Sequence, residues 1–210
     1  MKIWGGKTGG NPLRVALFLA EKGIDIPFEP VDLIHGAHRD PTFRAKNPVG
    51  LVPVLELDDG TCISETIAIC RYFERLHPEP PLMGSGALDE AMVEMWQRRV
   101  EFHLYASARE VFRHTIPFVK ALEPVQMADW AELNRPRVAA GLKVLNEQLK
   151  DHRYVAGERY SVADITALFS CQMLAHLHTP IPDDHGPFLR WRAEVYARPS
   201  VVSVLGEPKT

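Results

Sequence analysis

The chain has 210 residues, 46% of them hydrophobic and 24% charged, with a formal net charge of −3. That is an ordinary globular composition, long enough for one large or two small domains. The sequence has no long basic run, so nucleic acid is not an expected partner. No apolar run approaches the ~20 residues a bilayer needs, so no membrane is expected either. A basic segment leading into an apolar one is missing at the N-terminus, which predicts no signal peptide. Cys62, Cys70 and Cys171 form no CxxC pair, and they fit core positions in a reducing cytoplasm.

In chain order, Lys2–Trp4 reads as a short strand and Asn11–Lys22 as an amphipathic helix with Leu13, Leu17 and Ala20 at helical spacing. Pro12 suits a first helical position and Asn11 an N-cap, and Gly23 closes the helix. Gly9 and Gly10 precede it, so this helix start is either a capped turn or an anion site. An extended stretch from Pro27 to Leu33 and a short helix near Asp40–Ala45 follow. Leu51–Leu57 is strand-like, Asp58-Asp59-Gly60 a hairpin turn and Thr61–Ser64 the return strand. Glu65–Leu76 is a helix with Ile67, Cys70, Tyr72 and Phe73 on its buried side. This order predicts a small mixed sheet with helices on both faces, the thioredoxin-like plan.

His77-Pro78-Glu79-Pro80-Pro81 is a proline-rich break and an expected domain boundary. Beyond it the pattern is helical. Leu88–Phe112 is periodic, with Met92, Met95, Trp96, Arg99 and His103 on successive turns. Pro124–Leu149 is a second helical segment. Ser161 opens a third, with Asp164 as its capping-box residue and Tyr160 and Ile165 at staple spacing. A short helix near Pro187–Tyr196 follows. The expected division is 1–79, a linker at 80–87, and a helical domain at 88–210. His35 with His38, and His176 with His178, lack a third ligand at metal-binding spacing, so no metal is expected.

NPVGLVPVLELDDG, SETIAICRYFE and GERYSVADI, taken in order, resemble motifs of the cytosolic glutathione transferases. LFLAEKGI and EMWQRRVE are most similar to bacterial members related to a fungal type. The resemblance spans essentially the whole chain. It implies an α/β thioredoxin-like domain that binds glutathione, followed by an all-α domain that forms a second-substrate site. It also implies a homodimer and glutathione as co-substrate, with no permanently bound cofactor.

Residue by residue, the resemblance makes Val52-Pro53 a cis pair whose valine backbone meets the cysteine of glutathione. It assigns Glu65 to the ammonium of the γ-glutamyl end, and Thr66 with the following helix N-terminus to its carboxylate. His38 is the candidate for the glycine carboxylate, with Arg39 and Lys46 as alternatives. Position 51 often carries a donor in relatives and is Leu51 here.

A free thiol has a reference pKa near ~8.5 and attacks poorly until ionised. Many relatives aim a serine at the sulfur where this chain has Gly9. Three substitutes remain: the Thr8 hydroxyl, the Asn11 amide, or backbone amides and the helix dipole acting through an ordered water. His103, Tyr105, Ser107 and His114 are candidates for the second-substrate site. The expected activity is transfer of glutathione to a small hydrophobic electrophile. The alternatives are a glutathione-binding carrier or sensor, motivated by Gly9 and Leu51, and a helical interaction module that has lost its ligand.

Overall fold

In the computed structural model, which describes residues 1–7, 9–182 and 184–206, the strands form where apolar runs are free of proline. They are β1 (Lys2–Trp4), β2 (Phe28–Glu29), β3 (Val54–Glu56) and β4 (Cys62–Ser64). The helices are α1 (Pro12–Glu21), α2 (Pro41–Arg44), α3 (Thr66–Leu76), α4 (Ala87–Val100), α5 (Ala106–Thr115), α6 (Ala128–Asp151), α7 (Val162–His176), α8 (Gly186–Tyr196) and α9 (Pro199–Leu205). Backbone contacts divide the chain into Met1–Pro80 with the segment from Pro199, and Pro81–Arg198. The expected helical domain, 88–210, therefore stops at Arg198 in this division.

The sheet order is β2-β1-β3-β4, with β1 parallel to β2 and antiparallel to β3. Two expected strands are shorter than read. Pro27 and Pro30 cannot donate to a ladder and confine β2 to the two residues between them. Pro53 likewise delays β3 to Val54. The hairpin turn forms as its sequence predicts: Leu57 donates to the Thr61 carbonyl at 2.8 Å, and Gly60 takes φ +85°.

Helix α1 is buried without interruption from Pro12 to Leu19, not along a single stripe. The reason is α9, which returns from the far end of the chain and packs on α1, as α3 does. At its C-terminal end, Lys22 pairs with Glu74 at 2.7 Å and donates to the His77 and Pro80 carbonyls at 2.7 Å each. This clamp ties α1 to the end of α3 and to the proline-rich break.

In the helical unit, α7 is buried on nearly every side from Val162 to Leu174, as an apolar central helix must be. The α4–α5 segment is continuous but contains a π turn at Glu101–Tyr105 that periodicity did not reveal. Its buried stripe is Val93, Trp96, Val100, Leu104 and Ala108, while Met92, Arg99 and His103 face outward. Gly141 of α6 lies under the π turn, where an added Cβ would stand 2.5 Å from the His103 carbonyl oxygen. Neither backbone can yield cheaply. Gly141→Ala is expected to lower stability by about 2 kcal/mol, read as a lower urea midpoint. An unchanged midpoint would show that α6 and the π turn can separate freely.

Ser161 and Asp164 form the expected capping box, and Tyr160 and Ile165 are both buried. Asp164 does more than cap. Its carboxylate accepts from the amides of Val155 and Ser161 at 2.9 Å each, from the Ser161 hydroxyl at 3.0 Å and from Trp191 Nε1 at 2.8 Å.

Candidate active site

Three segments of the first unit meet at one end of its sheet. The pairing Trp4↔Val54 and Val54↔Ser64, continued by one residue, sets Pro53 between Gly5 and Glu65. Packing agrees with this register. A Cβ on Gly5 would lie 2.5 Å from Pro12 Cγ and 3.3 Å from Val52 Cβ. The loop before α1, the Val52-Pro53 pair and the start of α3 are thus neighbours. The Val52–Pro53 bond is cis, as the resemblance implies; Glu79–Pro80 is also cis.

Glu65 occupies the N-cap position of α3 at φ +68°, makes no side-chain capping bond and is exposed. A non-glycine residue held at positive φ marks strain that surrounding structure must sustain, and such strain gathers at functional sites. Thr66 follows, buried, and the first turn contains no acidic residue. A carboxylate arriving here would meet an open helix N-terminus.

Helix α1 starts differently from its sequence signals. Pro12 does open it, but Asn11 has helical backbone angles and makes no capping bond. Its Oδ1 instead accepts from Arg14 Nη1 at 3.4 Å. Gly10, at φ +62°, needs to be glycine, whereas a side chain at Gly9 would enter open space. The missing hydroxyl is therefore a feature of the sequence and not of crowding. Thr8 lies outside the described residues.

His38 sits in a 3-10 turn at Ala37–Arg39 and is buried, 7% exposed. Its carbonyl is 2.9 Å from where a Gly50 Cβ would stand, which brings it beside the approach to Val52. Burial, and then the charges of Arg39 and Arg44, push its pKa below the ordinary histidine value, so the ring is neutral at pH 7. Its buried Nδ1 has no hydrogen-bond partner among the described residues. Lys46 is committed to Glu56 at 2.9 Å, beside the bond from Trp4 Nε1 at 2.6 Å. Arg44, whose Nε is 3.4 Å from the added Gly50 Cβ, is a cation that the sequence reading passed over. Leu51 is half-exposed at 46% and supplies no side-chain donor.

The four candidates for a second-substrate site do not converge. His103 and Ser107 line one groove of about 640 Å³ with Phe102, Trp130 and Arg137, inside the helical unit. Tyr105 is buried against Phe169 of α7, with ring centroids 5.6 Å apart. His114 accepts from the Met127 amide at 3.1 Å and lies 3.8 Å from Glu110. Among the described residues, no three His, Cys, Asp or Glu side chains could share a metal ion. No described helix is long and apolar enough to cross a membrane.

A thioredoxin-like domain with a cis-proline edge and an all-helical second domain define the glutathione-transferase class of fold. Residues 11–76 match the family model of the glutathione S-transferase N-terminal domain, and 111–199 that of the C-terminal domain. Glutathione S-transferase 2 of Saccharomyces cerevisiae is 34% identical over 98% of this chain and 89% of its own length. A glutathione S-transferase domain-containing protein of Marinobacter aquaeolei VT8 superposes with a TM-score of 0.91 at 40% identity, covering 96% of this chain and all of that one. Gtt2 from Saccharomyces cerevisiae superposes with a TM-score of 0.92 at 34% identity, over 98% of this chain and all of its own. The chain belongs to the glutathione S-transferase family.

Proposed function

We propose that the protein binds glutathione as its thiolate and transfers it to a small hydrophobic electrophile. The observation that carries this reading is the meeting of Val52-Pro53 with two helix starts that no side chain of their N-cap residues caps, at Asn11 and Glu65. In this reading Val52 pairs with the cysteine backbone of glutathione. Glu65 takes the γ-glutamyl ammonium, and Thr66 with the α3 N-terminus takes its carboxylate. His38, with Arg44 nearby, serves the glycine end: its buried, unpaired ring nitrogen is a donor without an acceptor or an acceptor without a donor. The sulfur faces the Gly9–Asn11 edge, where Thr8, the Asn11 amide or backbone amides favour its ionised form. A homodimer and a cytoplasmic location belong to the same reading.

A second reading, a glutathione carrier or sensor with little turnover, is favoured by Gly9 and Leu51, which supply no side-chain donor. One pair of measurements separates the two. Calorimetric titration is expected to show glutathione binding, and the ultraviolet thiolate band of the bound tripeptide is expected to titrate well below the ~8.5 of a free thiol. Binding with an unshifted midpoint selects the carrier. No binding removes both.

A further inference from the structure

His38 is a buried histidine in a cationic setting. It is 7% exposed, and its Nδ1 has no hydrogen-bond partner among the described residues. Three segments meet around it. The His38 carbonyl oxygen, Arg44 Nε and Arg44 Nη2 stand 2.9, 3.4 and 3.8 Å from the position a Cβ would take on Gly50, so the 3-10 turn, α2 and the approach to Val52 converge there. The turn itself adds Arg39 and α2 adds Arg44, whereas Gly50, Leu51 and Val52 carry no titratable group. The carboxylates of residues 30–56 are engaged elsewhere. Asp32 bonds to His35 Nδ1 at 2.6 Å, Asp40 accepts from the Thr42 amide and hydroxyl at 2.8 and 2.6 Å, and Glu56 pairs with Lys46 at 2.9 Å. A buried imidazole beside two positive charges stays neutral, and burial first, then Arg39 and Arg44, hold its pKa below the ordinary histidine value.

We propose that His38 and Arg44 form one carboxylate site that closes by proton uptake: the ring takes a proton from solvent as the glycine end of glutathione arrives. This rests on the reading above that the glycine end lies here. Without ligand, a protonated ring would be a third positive charge beside Arg39 and Arg44 in a site with little water. An arriving carboxylate reverses that balance. An opposite charge within roughly 4–6 Å favours the charged ring by about one to three pKa units. The protonated ring donates from both nitrogens, so the unpaired Nδ1 becomes a charged donor, and a charge-assisted bond is stronger than a neutral one. Binding raises the ring's pKa. The gain in affinity is therefore fully present below the free-state value and is lost as pH rises through the bound-state value. The thiol works in the opposite sense: in the proposed activity it releases a proton on binding, which masks the uptake when glutathione itself is the ligand.

The test is calorimetric titration with S-methylglutathione, whose blocked sulfur releases no proton, in buffers of different ionisation enthalpy. At about pH 6.5 the wild type is expected to take up about half a proton per ligand, and its affinity to rise about tenfold from about pH 8 to about pH 5.5. His38→Asn cannot titrate, so it is expected to abolish the uptake and flatten the pH profile. Arg44→Gln removes one repelling charge, so its uptake is expected to peak at higher pH, on weaker binding. The analogue whose glycine ends in an amide is expected to bind about tenfold more weakly, with no uptake. Should His38→Asn fail to fold, Arg44→Gln, at an exposed position, decides the matter through its shifted peak. Binding without net proton uptake, or uptake that these variants leave unchanged, overturns the coupled site alone. A protein that binds neither glutathione nor S-methylglutathione overturns it together with the proposed function.

Discussion

Asp164→Ala is expected to remove about 4 kcal/mol of stability at neutral pH, because it strands the Val155 and Ser161 amides and Trp191 Nε1 inside the helical unit. Each buried donor left without an acceptor costs roughly 1–3 kcal/mol, and the Ser161 hydroxyl alone can turn to another partner. The loss should also vary with pH. Burial pushes the Asp164 carboxyl from an ordinary 3.8 up to about 6, against the pull of its four hydrogen bonds. A folded-state pKa above the unfolded value means the native state takes up the proton first. The stabilisation is therefore fully present below the unfolded pKa and is lost as pH rises through about 6, a change of about 3 kcal/mol in all. The gap between wild type and variant should accordingly widen as pH falls from about 7 toward 4. Urea midpoints at several pH values measure it, with Asp164→Asn as the variant that keeps an acceptor oxygen. A gap that narrows toward acid would mean that Asp164 is ionised throughout, its four donors outweighing desolvation.

Much of this architecture was legible because the deciding interactions are local. The Asp58-Asp59-Gly60 turn, the Ser161–Asp164 capping box and the proline-punctuated strands each depend on residues within a few positions of one another. What escaped depends on distant chain. Nothing near α1 says that α9 will return to pack on it, and nothing local predicts a buried Arg14. The π turn is a packing solution against Gly141, some 40 residues downstream, and leaves the hydrophobic periodicity of α4–α5 nearly intact. Asn11 is the instructive failure: its residue type and place predicted a cap, but its backbone is already helical and its side chain makes no capping bond. Nothing in its neighbouring residues announces that His38 is buried. In each case the local rule gave way where the candidate site or its support lies, as expected where function competes with local preference.

Glu65→Gly is expected to make the protein more stable and a much poorer binder. Glycine adopts φ +68° without steric cost, so the substitution relieves strain of roughly 1–3 kcal/mol, partly offset by the greater backbone entropy glycine loses on folding. The net gain is about 1 kcal/mol. The same substitution removes the carboxylate proposed to meet the γ-glutamyl ammonium. A charge-assisted bond contributes roughly 1.5–3 kcal/mol, so glutathione affinity should fall about 100-fold. Glu65→Gln separates the two effects: it keeps the strained backbone and the hydrogen-bonding reach but not the charge, and should lose affinity without gaining stability. Calorimetry and urea midpoints on the same samples test both signs. Were Glu65→Gly to bind like wild type and unfold earlier, the strained backbone would be serving the fold, and the assignment of Glu65 to the ligand would fail. The opposite signs matter because few structural roles produce them. A residue kept only for packing loses stability when removed, whereas one kept in strain for a ligand gives stability back.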